Sequence, residues 1–118
     1  MADFGDFLRE RREALKESRG KEYSLRKIAA RIGMQPSYLS RIERGTDIPP
    51  SEAKLVALAE VLELDKDVVL AMAGKVSSDL LEAIRKRPKL FSDLIRTLRD
   101  APDKAVIRIV REVRDGEW

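Results

Sequence analysis

The sequence predicts an all-α protein, a five-helix unit followed by about three short helices. Three observations carry that expectation. Apolar residues recur at helical spacing along the whole chain, as in Leu25, Ile28, Ala29 and Ile32. No sustained alternation of β-branched residues offers a strand. Helix punctuation also recurs, with Ser24, Ser51 and Asp65 where N-caps belong and Gly33, Gly45 and Gly74 where helices must close.

Taken in order, the first helix is expected from about Phe4 to Ser18, with Phe4, Phe7, Leu8, Ala14 and Leu15 as its apolar face. Ser18–Glu22 is polar, carries Gly20 and reads as a loop. Ser24 caps the second helix, and Gly33 stands where its end needs a left-handed residue. A third helix follows over about Gln35 to Arg44, with Leu39 and Ile42 facing inward, Tyr38 a further candidate for that face, and Pro36 in the first turn, where no amide hydrogen is required. Asp47–Pro50 is a stiff connector. Ser51 then caps a helix burying Leu55, Leu58, Ala59 and Leu62, and Asp65 caps one burying Val68, Val69 and Met72. Beyond Val76 the pattern changes to three short amphipathic helices. They carry Leu80, Leu81 and Ile84; then, after Pro88, Phe91, Leu94, Ile95 and Leu98; then, after Pro102, Val106, Ile109, Val110 and Val113. Residues 1–75 are therefore expected to form one domain and residues 76–118 a helical extension.

The composition removes whole classes of function. The 118 residues contain no cysteine and no histidine, so the commonest metal ligands and the commonest general base are missing. The composition leaves carboxylate-only or serine–lysine chemistry open, but no cluster of residues suggests it, and neither a metal nor a cofactor is expected. No signal peptide and no membrane-length apolar run is seen, so a cytoplasmic location is the expectation. The net charge is only +3, but it is unevenly placed. Residues 19–44 hold seven Lys/Arg against two acids, a balance of +5, and residues 45–67 hold two against six, a balance of −4. A basic segment of this kind favours a polyanion, although on charge alone a solvated helical surface is the stronger reading.

The segment Ser24–Gly45 narrows the choice. Two short helices flank Gly33, Ala29 is small where the helices must cross, Leu39 and Ile42 anchor the second helix from behind, and Gln35, Ser37, Ser40, Arg41 and Arg44 stand in front. That is the layout of a helix-turn-helix, whose second helix enters the DNA major groove. The run Ser24-Leu25-x-x-Ile28-Ala29-x-x-Ile32-Gly33-Met34-x-x-Ser37-Tyr38-Leu39-Ser40-Arg41-Ile42-Glu43-Arg44-Gly45, with Pro49 and Pro50 after it, resembles the Xre family of Cro- and phage-repressor-like DNA-binding domains over about residues 4–74.

The resemblance implies roles residue by residue. Gln35, Pro36, Ser37 and Arg41 match positions that face base edges. Arg41, whose fork suits guanine O6 and N7, is the foremost candidate reader. Pro36 departs from the pattern, since it cannot read a base by a hydrogen bond and offers at most contact with a thymine methyl. Ser24 and Arg44 match phosphate-contacting positions, as does the capping region at Ser51. Tyr38 either donates its hydroxyl to a phosphate or packs. Leu25 stands where the family often has a glutamine that contacts phosphate and braces the recognition helix, and Arg26 is the candidate for both tasks. Arg12 and Glu43 resemble a pair tying the first helix to the third.

The resemblance also implies a double-stranded DNA partner and a homodimer on a palindromic operator, hence a transcriptional regulator, most simply a repressor. Phe91, Leu94, Val106, Ile109, Val110 and Val113 are the candidate dimer contacts, and packing within the chain is the other use of the same stripe. Arg108, Arg111 and Arg114 are a solvated face or a second DNA contact, and Trp118 is an interface anchor or a frayed end. The alternative function is an antitoxin-type module whose residues 76–118 hold a partner toxin while the first unit represses its own operon.

Overall fold

The computed structural model describes residues 3–118, so the first two positions of the expected 1–75 domain lie outside the described residues. The described chain is all-helical, without a strand. In order it comprises α1 (Phe4–Arg19), a 3-10 turn (Lys21–Tyr23), α2 (Leu25–Arg31), α3 (Pro36–Glu43), α4 (Glu52–Val61), α5 (Lys66–Met72), α6 (Ser78–Lys86), α7 (Pro88–Leu98) and α8 (Asp103–Asp115). It divides into two compact units, one ending at Ser77 and the other spanning Ser78–Trp118.

Local chemistry sets the boundaries in the first unit. The Ser24 hydroxyl oxygen accepts from the Lys27 amide at 3.3 Å, that of Ser51 from Lys54 at 3.4 Å, and the Asp65 carboxylate from Asp67 and Val68 at 2.8 and 3.2 Å. Each satisfies amides that a helix start leaves without an internal partner. Helix ends close in one repeated way. After α2, the Met34 amide donates to the Ala29 carbonyl at 2.9 Å and the Gly33 amide to Ala30 at 3.2 Å, with Gly33 at φ 66°. The same closure follows α4, but there the left-handed residue is Glu63, at φ 56°. That position costs Glu63 roughly 1 kcal/mol of backbone strain that a glycine would avoid.

The core of this unit joins all five helices. Leu8 and Leu15 of α1, Ile28 and Ala29 of α2, Leu39 and Ile42 of α3, Leu55, Leu58 and Ala59 of α4, and Val69 and Leu70 of α5 are buried, together with Ile32, Met34 and Leu62 beside the turns. Three expected core residues are corrected. Ala14 is exposed, because α1 buries the stripe of Leu8, Arg12 and Leu15 and Ala14 stands beside it. Val68 and Met72 are also exposed, and Leu70 is buried in their place. Over Val68–Met72 every residue is apolar, so periodicity could not select the inward face.

In the second unit α6 and α7 lie against one another. No described residue there is buried: Ile84, Phe91, Leu98, Val106 and Ile109 are half-buried, while Leu80, Leu81, Leu94, Ile95, Val110 and Val113 are exposed. The three expected stripes thus remain largely open to solvent.

Candidate nucleic-acid interface

Helix α3 has two opposed faces. Leu39, Ile42 and Glu43 are buried, whereas Ser37, Arg41 and Arg44 are exposed at i, i+4 and i+7 along one stripe. Gln35, the N-cap residue, is exposed and its side chain makes no capping bond. Of the four residues expected to face base edges, Gln35, Ser37 and Arg41 are exposed. Pro36, at the first helical position, is half-buried.

Three features fix that helix. Arg12 of α1 donates from Nε and Nη2 to the two oxygens of Glu43, at 2.7 and 2.8 Å, and both side chains are buried. The hydrogen bond to Glu43 raises the Arg12 pKa above its ordinary value, against the opposing effect of burial. Glu43 is one of only two acids in the basic stretch 19–44, and burying it leaves that stretch more basic outside than its sequence suggests. Gly5 brings α1 onto the end of α3: a Cβ there would stand 2.5 Å from the Ile42 carbonyl oxygen and closer still to that of Glu43. Lys54 of α4 reaches back across the turn, its Nζ donating to the carbonyls of Ile32 at 2.7 Å and Gly33 at 3.0 Å. A cation at the end of α2 meets carbonyls that the helix leaves unpaired and the negative end of its dipole. Gly5 and Lys54 escaped the sequence reading, since neither position carries a local signal of a contact so distant in the chain.

The residues expected to touch phosphate are spread over three helix starts and ends. Ser24 opens α2 and Ser51 opens α4, and each uses its hydroxyl oxygen as a cap acceptor. The hydroxyl proton of each is thereby left to donate to an external oxygen. Arg26 is exposed on the first turn of α2. Arg44, the C-cap of α3, is exposed, with Nε donating to the Ser40 carbonyl at 3.4 Å. Tyr38 is half-buried, and its hydroxyl donates to the Ile48 carbonyl at 3.3 Å. Its ring lies 5.7 Å from the Arg41 guanidinium carbon. Arg41 in turn donates from Nε to Asp47 at 3.0 Å, a partner the sequence reading did not assign. That hydrogen bond holds the Asp47 carboxyl below its usual range.

Two short helices joined through Gly33, with the second braced from behind and polar and basic in front, define a helix-turn-helix domain, a DNA-binding fold. The model of the helix-turn-helix domain family matches residues 3–72, more than half of the chain, and the chain belongs to that family. No curated protein and no solved structure matches the chain. Among the described residues no group of side chains could hold a metal ion, and no helix is long and apolar enough to cross a membrane.

Proposed function

We propose that this protein is a sequence-specific DNA-binding regulator of the Xre type, acting from the cytoplasm without catalysis. The observation that carries this reading is the exposed stripe Ser37–Arg41–Arg44 on a helix whose opposite face is locked by Leu39, Ile42 and the Arg12–Glu43 pair. In this reading α3 enters the major groove. Arg41 reads guanine, and Gln35 and Ser37 add contacts to bases. Ser24, Arg26, Arg44 and Ser51 meet phosphates and set the register. The Tyr38 hydroxyl reaches a phosphate only after leaving the Ile48 carbonyl, so packing beneath Arg41 is its first role.

Repression is the simplest outcome of occupying an operator. The reading includes a homodimer on a palindromic site, its contacts drawn from Phe91, Leu94, Val106, Ile109, Val110 and Val113. It is supported by the absence of any buried residue among the described positions of the second unit. Sedimentation of the full chain tests it: a dimer supports the proposal, and a monomer that co-purifies with a small protein supports the antitoxin reading instead.

The DNA-binding reading is tested by titrating the full chain against a duplex that it selects from a random-sequence pool, at several salt concentrations. Each phosphate neutralised contributes about −0.9 to the slope of log affinity against log salt. A steep negative slope is expected, and a flat one contradicts DNA binding.

A further inference from the structure

Arg41 and Asp47 form an ion pair on the outer surface of α3, with side chains 44% and 32% exposed. An exposed arginine ordinarily samples many rotamers. Here both partners are held by further contacts. The second oxygen of Asp47, Oδ1, accepts from the Ile48 amide at 2.9 Å. The loop carrying Asp47 is tied to the helix it serves: the Thr46 amide and hydroxyl both donate to the Arg41 carbonyl, at 3.0 and 3.3 Å, and the Tyr38 hydroxyl donates to the Ile48 carbonyl. The Tyr38 ring flanks the guanidinium. Asp47 is bonded through Nε alone, which leaves the two Nη groups at the tip of the side chain to form a forked contact.

We propose that Asp47 is a specificity-determining positioning residue that holds Arg41 for end-on contact with a guanine edge and withholds it from backbone phosphates. The proposal rests on the reading of Arg41 as a base reader. A free arginine pairs with any phosphate it reaches, and that attraction carries no sequence information. A carboxylate at its Nε edge repels phosphates. It also pre-orders the side chain for the one acceptor pair lying along its tip, so the ordering cost is already met only at a matching site. Asp47 thus lowers binding to unmatched DNA more than binding to the matched site. This accounts for an acid standing on the face expected to meet a polyanion.

The test uses the full chain, a duplex it selects from a random-sequence pool, and duplexes changed at each base pair of that site in turn. Asp47→Asn should raise affinity for every duplex while discrimination at one guanine-containing pair falls about fivefold or more, the lower end of what a forked arginine–guanine contact supplies. Discrimination at the other pairs should hold. In an Arg41→Ala background Asp47→Asn should change no ratio. Asp47→Ser, which retains an oxygen able to accept from Ile48, should behave as Asp47→Asn and so separates loss of the carboxylate from disturbance of the loop. If both Asp47 variants raise all affinities uniformly while Arg41→Ala still collapses one ratio, the positioning role is overturned and the reading of Arg41 stands. If Arg41→Ala alters no ratio, both fall.

Discussion

Arg12 and Glu43 join α1 to α3 through a two-pronged ion pair, 2.7 and 2.8 Å long, in which both side chains are buried. The pair sits directly behind the outward stripe of α3. Removing one member strands the other charge away from water. Arg12→Met or Glu43→Gln alone is therefore expected to cost about 3 kcal/mol of stability in urea denaturation. Arg12→Met combined with Glu43→Leu should recover much of that loss, because the desolvation penalty of both charges disappears with them.

Gly5→Ala should destabilise the protein although alanine is the better helix former. The added methyl meets the carbonyl oxygens of Ile42 and Glu43, which are backbone atoms and cannot swing aside. Overpacking of this kind costs about 1–3 kcal/mol, more than the roughly 1 kcal/mol that helix propensity returns. A thermal melt should show a lower midpoint, and a higher one would contradict the close approach of α1 to α3.

Lys54→Met keeps the aliphatic stem and removes two charge-assisted hydrogen bonds from the turn between α2 and α3. A stability loss of about 1–3 kcal/mol is expected from chemical denaturation. Amide exchange at Gly33 and Met34 should speed up more than exchange in α5.

Stability should be nearly flat from about pH 5.5 to 8, since the chain holds no histidine to titrate there. Asp47 and Glu63 have lowered pKa values through hydrogen bonds from Arg41 and Arg19 respectively. A lowered carboxyl pKa contributes stability above the unfolded value, near 4, and loses it as pH falls through the folded value. Arg12, raised instead, keeps its contribution until well above the ordinary pH range. Thermal midpoints measured across pH should accordingly hold steady and then drop in acid, below about pH 4.

Features governed by neighbours in sequence were legible before the structure. The Ser24, Ser51 and Asp65 caps, the glycine at the end of α2 and the anchors Leu39 and Ile42 each follow from residue type and spacing within one or two turns. Features set by distant neighbours were not. Lys54 reaches carbonyls more than twenty positions earlier, and Gly5 is required by the backbone of a helix far along the chain. Glu63 adopts a backbone state that favours glycine, so composition gave no hint of it. Asp47 read as part of a stiff connector, because only the folded loop shows which arginine it meets. Val68 and Met72 failed for the opposite reason: a short helix that is apolar all round offers periodicity nothing to select.

Whether α3 is the DNA-contacting helix is decided by titrating the isotope-labelled full chain with its selected duplex and following amide chemical shifts. The largest changes should fall on Ser24–Lys27, Gln35–Arg44 and Ser51–Lys54, with the Arg41 side-chain signals among them. Changes confined to α6–α8, with α3 unmoved, would contradict that role for α3.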